Sequence, residues 1–200
     1  LVSANITDPV CLTPFWIGRE SGLYRQHGVD ADVVFFRGST IAINALVTKD
    51  AQFAGLGASS AVLAKLGGMD TVLIATATPG LLFYLITKKE IKNANDLKGK
   101  NIAVSRPGTD SDLAARVAVQ RLGLAEKDVA FVSVGSDTER VMAMSQGVVD
   151  ATVVAVAGYV VAQKLGFNAL LDLSQANIPY EAASLITTQT LIRENPDLVR

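Results

Sequence analysis

Four times along this 200-residue chain an apolar, strand-like run ends in a small hydroxyl-rich turn that opens a helix. The turns are Arg37-Gly38-Ser39-Thr40, Gly57-Ala58-Ser59-Ser60, Arg106-Pro107-Gly108-Thr109-Asp110-Ser111 and Gly135-Ser136-Asp137-Thr138. Each sets backbone N–H groups and short hydroxyls at a helix N-terminus, where anionic or polar ligand groups are well held. Strands alternating with helices point to parallel sheets, with ligands expected beyond the carboxyl ends of the strands. Two turns fall in each half of the chain, which predicts a cleft gripping a small molecule from both sides.

The coarse pattern extends this alternation along the chain. Strands are predicted at Leu1–Ile6, Val29–Phe36, Ala51–Gly55, Thr71–Ala77, Leu82–Thr87, Asn101–Val104, Val129–Val134, Ala151–Val156 and Ala183–Thr187. Helices are predicted near Pro14–Gln26, Ser39–Thr48, Ser59–Leu66, Asp110–Leu122, Asp137–Gln146 and Tyr159–Leu165. Leu113 and Val117 mark the apolar stripe of the fourth helix, and Val141, Met144 and Val148 that of the fifth; core packing accounts for both. The polar segment Lys88–Asn95 follows a very apolar one and reads as the boundary between lobes. The chain then returns near Ala183, so the first lobe comprises 1–87 with 183–200, and the second comprises 88–182. Two such crossings suit a clamshell that closes on its ligand.

Composition narrows the chemistry. A net charge of −1 leaves no basic excess to replace counterions, which argues against nucleic acid or an anionic membrane surface as partner. No apolar stretch approaches the roughly 18 residues of a membrane span. Cys11 is the only cysteine and His27 the only histidine. A His/Cys zinc site is therefore nearly excluded, as is a Ser-His-Asp triad unless His27 supplies the base. His27 stands just before Gly28, where a cation suits the negative end of a helix dipole. Cys11 follows Asp8-Pro9-Val10, a poor match to a lipid-attachment signal. No catalytic residue, metal ligand or cofactor is assigned.

Binding candidates remain. Ser39, Thr40, Ser59, Ser60 and Thr109 converge hydroxyls and N–H groups at helix starts; simple N-capping, worth about 1 kcal/mol each, is the plain alternative. Arg37 and Arg106 directly precede binding turns and could pair bidentately with a carboxylate or sulfonate, or simply be solvated. Trp16, the only tryptophan, could stack on a planar ligand or pack in the core. Asp110 could receive a ligand amine or cap its helix.

The segment Gly18-Arg19-Glu20-Ser21-Gly22-Leu23-Tyr24-Arg25-Gln26-His27-Gly28-Val29-Asp30 resembles the opening of the nitrate/sulfonate/taurine-type solute-binding proteins of ABC transporters, whose superfamily includes binders of thiamine-pyrimidine precursors. Asp96-Leu97-Lys98-Gly99-Lys100-Asn101-Ile102-Ala103-Val104 resembles that family's second-lobe entry, and Gly147-Val148-Val149-Asp150-Ala151 a later strand signature. Thr187-Thr188-Gln189-Thr190-Leu191 with Asn195-Pro196-Asp197-Leu198-Val199 resembles its return helix. The resemblance covers nearly the whole chain in order. It implies an α/β, two-lobed periplasmic-binding-protein type II fold, with mainly parallel sheets, helices on both faces and a ligand cleft between lobes. Ligand contacts would come from Thr13 and Trp16, from Ser39, Thr40, Ser59, Ser60 and Thr78, and in the second lobe from Gly108, Thr109, Asp110, Ser111, Val156 and Ala157. Members usually continue through a further helical subdomain, so either the first lobe is truncated at Arg200 or its packing partner comes from elsewhere.

The resemblance implies a monomeric, extracytoplasmic receptor, periplasmic or membrane-associated outside the cell. It would hold an organic anion or an aromatic or pyrimidine-type ligand and deliver it to a membrane permease. One alternative is an enzyme of the pyrimidine-precursor-synthase type, which needs a reactive histidine and lysine and metal-binding cysteines. Another is the ligand-sensing domain of a transcription regulator, which needs a separate DNA-binding segment.

Overall fold

The computed structural model describes residues 2–6, 12–36 and 39–200. In chain order the strands are β1 (Val2–Ile6), β2 (Ala31–Phe35), β3 (Phe53–Leu56), β4 (Thr71–Pro79), β5 (Tyr84–Thr87), β6 (Asn101–Val104), β7 (Ala130–Ser133), β8 (Ala151–Val154), β9 (Asn168–Asp172) and β10 (Glu181–Thr188). The helices are α1 (Thr13–Glu20), α2 (Leu23–Gln26), α3 (Ser39–Val47), α4 (Ala58–Leu66), α5 (Asp110–Arg121), α6 (Asp137–Ser145), α7 (Val156–Lys164), α8 (Gln189–Glu194) and α9 (Pro196–Val199). They form two compact units, one of residues 1–79 with 180–200 and one of residues 80–179.

The first unit holds a five-stranded sheet in the order β2-β1-β3-β10-β4. β1 runs parallel to β2 and β3, while β10 runs antiparallel to both β3 and β4. Ala42, Ile43 and Leu46 of α3 and Ala61 of α4 pack with Ala54 and Leu56 of β3 and Ile186 of β10. A second cluster joins Leu12, Val33 and Ala183 to Phe15, Trp16 and Tyr24. The expected helix over Pro14–Gln26 is broken by Gly22, whose φ of +72° is the left-handed conformation glycine tolerates. The break lets Tyr24 fold back: its hydroxyl donates to Phe15 O at 3.0 Å, and burial raises its pKa. At the other end, the Asp70 carboxylate accepts from Thr190 N (2.8 Å) and Thr190 Oγ1 (2.6 Å). The Thr190 hydroxyl bond holds the Asp70 pKa below the ordinary carboxylate value.

The second unit repeats the topology, in the order β7-β6-β8-β5-β9. β6 is parallel to β7 and β8, and β5 is antiparallel to β8 and β9. In each sheet four strands therefore point one way and a fifth runs against them, so half of the pairings are antiparallel. The core joins Ile86 and Ala103 to Val141 and Met144 of α6, Val154 and Ala162.

Three expectations need correction. β5 belongs to the second sheet, and the chain divides after Pro79, ahead of the polar segment from Lys88. That segment is polar because it is surface of the second unit, held by reciprocal capping between Asn93 and Asp96. Asn168–Asp172 is an additional strand, and as an edge strand it is short of the buried apolar residues that mark an interior one. Finally, α5 turns Ala114, Ala115, Ala118 and Val119 inward instead of Leu113 and Val117, and Val148 is 61% exposed.

Asp150 ties three strands of the second unit together. Its Oδ1 accepts from Lys88 Nζ at 2.9 Å and its Oδ2 from Asn101 N at 3.1 Å. Its backbone carbonyl accepts from Lys88 N and its N–H donates to Asn101 O, each at 3.0 Å. Burial pushes the carboxyl pKa up, but the Lys88 bond, the Asn101 N–H and the Lys88 and Lys100 charges outweigh it and hold the pKa low. A folded-state pKa below the unfolded one stabilises fully above the unfolded value and is lost as pH falls through the folded value. Asp150→Asn is accordingly expected to cost about 1–2 kcal/mol at pH 7. In urea titrations that deficit should narrow below about pH 4, as wild-type Asp150 becomes protonated.

Candidate functional site

Parallel strands aligned in a sheet deliver their connecting turns to one edge, and Ser39, Thr40, Ser59, Ser60, Thr78 and residues 108–111 lie at or next to such strand ends. In the first unit, Ser39 and Thr40 open α3 after β2, and Ser59 and Ser60 lie in the first turn of α4 after β3. Thr78 lies near the end of β4, in register with Ala183 of β10. Thr13 is the first residue of α1. Arg37, like Gly38 and Cys11, lies outside the described residues. Trp16 is half-buried beside the Leu12–Val33–Ala183 cluster, with the Arg19 guanidinium 5.9 Å from its ring centroid.

The N-terminus of α4 has a partner that no local sequence signal indicated. Tyr180, just before β10, accepts the Ser59 N–H on its phenol oxygen at 2.9 Å. Because β10 runs against its neighbours, its beginning lies at the edge where β3 and β4 end. The same logic places Tyr84, the first residue of β5, at the corresponding edge of the second sheet. There it stacks on Tyr159 of α7, with ring centroids 4.2 Å apart and planes inclined by 8°. Gln163 Nε2 donates to the Tyr159 hydroxyl at 2.6 Å.

At the end of β6 three hydroxyls meet. Ser105 Oγ lies 2.7 Å from Thr109 Oγ1 and 2.9 Å from Ser111 Oγ, and Thr109 Oγ1 lies 3.1 Å from Ser111 Oγ. Ser111 Oγ also accepts the Ser105 N–H at 2.8 Å, and the Thr109 hydroxyl donates to Arg106 O at 2.7 Å. With the Thr109 proton on Arg106 O, two hydroxyl protons remain for three oxygen–oxygen contacts. A rotated hydroxyl can therefore offer a small polar group either a proton or a lone pair. Gly108 N–H is engaged with Asp112 at 2.8 Å, while the Arg106 side chain extends into solvent. Asp110 opens α5 and places a carboxylate at the positive end of the helix dipole.

The ends of β7 and β8 are locked to each other. Arg140 of α6 is only 2% exposed, and it reaches Thr152 Oγ1 at 3.1 Å and Val153 O at 3.0 Å. It also donates to Gly135 O and pairs with Asp137. Asp137 Oδ2 in turn accepts the Ala155 N–H at 2.8 Å, which fixes the start of α7 beside the start of α6. Val156 and Ala157 form the exposed first turn of α7; β8 ends at Val154, two residues before the predicted end. Gly158 permits this approach, since a Cβ there would lie 2.8 Å from Val154 Cβ and 2.9 Å from Asp137 Oδ2. Ser136 caps α6 reciprocally with Glu139. The Ser-x-x-Glu spacing and the Asp137/Arg140 pair at i,i+3 are sequence signals that could have drawn attention to this corner.

The sequence model of the NMT1/THI5-like family matches residues 11–200. A Brucella abortus protein described as a binding protein is 30% identical over 122 residues, covering 61% of this chain. The match spans 37% of that relative's length. The periplasmic aliphatic sulphonate binding protein SsuA of Escherichia coli superposes with a TM-score of 0.80 at 18% identity, over 99% of this chain and 68% of that one. The periplasmic nitrate-binding protein NrtA of Synechocystis PCC 6803 gives 0.82 at 15% identity, over 98% and 57%. At such identities the likeness establishes the fold, which is that of the periplasmic binding proteins.

Two substitutions probe the locked corner. Arg140→Met leaves Asp137 and two carbonyls without their donor and is expected to cost about 3–5 kcal/mol in urea unfolding. Gly158→Ala forces α7 off Val154 and is expected to cost about 1–3 kcal/mol, read as a lowered thermal midpoint.

Proposed function

The chain belongs to the NMT1/THI5-like family, and on that premise we propose that it is the extracytoplasmic solute-binding receptor of an ABC importer. It captures a small ligand and delivers it to a membrane permease, with no chemical step of its own. The observation that carries the reading is the Ser105–Thr109–Ser111 hydroxyl cluster at the start of α5. It stands at the carboxyl edge of its sheet, and the Ser39–Thr40 and Ser59–Ser60 helix starts stand at the equivalent edge of the other. Helix starts and hydroxyls of this kind hold polar groups without reacting with them.

The ligand contacts proposed are Thr13, Trp16, Arg37, Ser39, Thr40, Ser59, Ser60 and Thr78 from the first unit. From the second they are Arg106, Gly108, Thr109, Asp110, Ser111, Val156 and Ala157. The ligand is a small organic anion such as a sulfonate or an aromatic carboxylate, or a pyrimidine. The sulfonate and nitrate specificities named for the structural neighbours support the anion class. The single histidine and single cysteine leave the synthase alternative without its reactive set. The receptor acts as a monomer, in the periplasm or associated with the membrane outside the cell.

Titration calorimetry of the folded protein against ethanesulfonate, nitrate, benzoate and an aminopyrimidine tests the reading. Binding of one class at micromolar or tighter affinity, about −8 kcal/mol, is expected. Absence of heat and of thermal stabilisation for all four at millimolar concentration would overturn it. Thr109→Ala and Ser111→Ala should each weaken the bound class about tenfold, the worth of one hydrogen bond. Unchanged affinity in both Arg37→Ala and Arg106→Ala would remove the anion class and leave the neutral aromatic one.

A further inference from the structure

The turn proposed to meet the ligand is braced from behind by a carboxylate. Asp112 lies in the first turn of α5 with its side chain only 8% exposed. Its Oδ2 accepts the Gly108 N–H at 2.8 Å, and its Oδ1 accepts Arg116 Nε at 3.2 Å. Arg116 is itself anchored: its guanidinium lies 4.6 Å from the Phe131 ring centroid and pairs with Glu126. The chain of contacts therefore runs from the β7 side of the sheet, through α5, to the middle of the Ser105–Thr109 turn.

A carboxylate this buried is costly unless its oxygens are satisfied. Here the two partners do different work. Arg116 matches the charge, and Gly108 N–H receives the directional contact. Gly108 has φ of +77°, a conformation that side-chain-bearing residues rarely adopt and that nothing in a free loop would favour. Asp112 thus holds the one residue of the turn whose backbone has the most freedom to leave. With Gly108 fixed, Arg106 O stays in reach of the Thr109 hydroxyl at 2.7 Å, and the hydroxyl cluster keeps its shape.

We propose that Asp112, anchored by Arg116, is a positioning residue that sets the Ser105–Thr109 turn in its ligand-receiving shape before any ligand arrives. The proposal rests on the reading of that turn as a ligand contact. Its benefit is preorganisation: a turn already ordered loses less entropy when it binds. Asp112 itself does not touch the ligand, and its oxygens are both directed to protein groups.

Amide hydrogen exchange followed by NMR tests this without a ligand. Asp112→Ala should speed exchange at Gly108 about tenfold, one hydrogen bond's worth, while amides of β6 and β7 stay at wild-type rates. Asp112→Asn retains an acceptor oxygen and should recover part of the protection. If Asp112→Ala does not fold, Arg116→Met removes only the anchor and should speed Gly108 exchange by about two- to threefold. Wild-type exchange at Gly108 in the variants, or uniform acceleration of the turn and the sheet together, would overturn the proposal. A parallel titration with ethanesulfonate separates the two readings. Binding by the wild type should weaken about fivefold or more in Asp112→Ala, a loss on the scale of one hydrogen bond, and equal affinity would count against positioning. No binding by the wild type would remove the sulfonate reading, while the exchange pattern would still decide the role of Asp112.

Discussion

One antiparallel strand closes each sheet. Among the described residues β4 pairs in its sheet with β10 alone, and β9 with β5 alone, so without that strand each sheet would lose its last two strands together. The strands are correspondingly deep in the structure. Ala183, Ser184, Ile186 and Thr187 of β10 are fully buried, as are Leu85 and Thr87 of β5, with Ile86 1% exposed. Thr187 adds a side-chain bond to Gln52 O at 2.8 Å, and Thr87 one to Ile91 O at 3.0 Å. The polarity of these strands has a functional consequence. A strand running against its neighbours begins where they end, so Tyr180 and Tyr84 arrive at the edges that carry the helix-opening turns.

In the second unit, charged side chains hold the helix-opening turns in place. Arg140 is buried among two carbonyls, a hydroxyl and a carboxylate, and through Asp137 it binds the start of α7 to the start of α6. Asp112 and Arg116 do the same for the turn after β6. In both cases an arginine satisfies a carboxylate so that the carboxylate can hold a backbone N–H. Buried ion pairs of this type contribute little net stability compared with apolar packing, but they define geometry. Geometry is what a binding edge requires.

Much of this fold was legible in the sequence because strand, turn and helix carry local signatures. Asn101–Val104 is a strand with the predicted bounds, and α5 and α6 begin at the predicted Asp110 and Asp137. The division of the chain was less legible. Polar residues Lys88–Asn95 resemble a linker, yet Lys88 is fastened to Asp150, and the break comes earlier, at Pro79-Gly80, where Gly80 has φ of +97°. The inward face of α5 is made largely of alanines, which allow close packing but give a weak hydrophobic stripe. The hydroxyl turns were visible as candidates; their internal partners were not. Asp112 and Arg116 stand at i,i+4, a spacing that signals an ion pair, and Thr109-x-x-Asp112 has capping-box spacing. That pattern directs the carboxylate to the Thr109 N–H and not to Gly108, which it holds instead. Tyr180 reaches Ser59 across 121 residues, and only the fold brings them together.

The central proposal is that helix-opening turns at the carboxyl edges of the two sheets take up a small solute. It is tested most directly by mapping backbone amide shifts of the 15N-labelled protein as ethanesulfonate, or whichever of the four trial solutes binds, is added to saturation. The account predicts coordinated shifts at Ser39–Thr40 and Ser59–Ser60 in the first unit and at Thr109–Ser111 in the second, all with one dissociation constant. Shifts confined to one unit, or centred away from the carboxyl edges of the sheets, would contradict it.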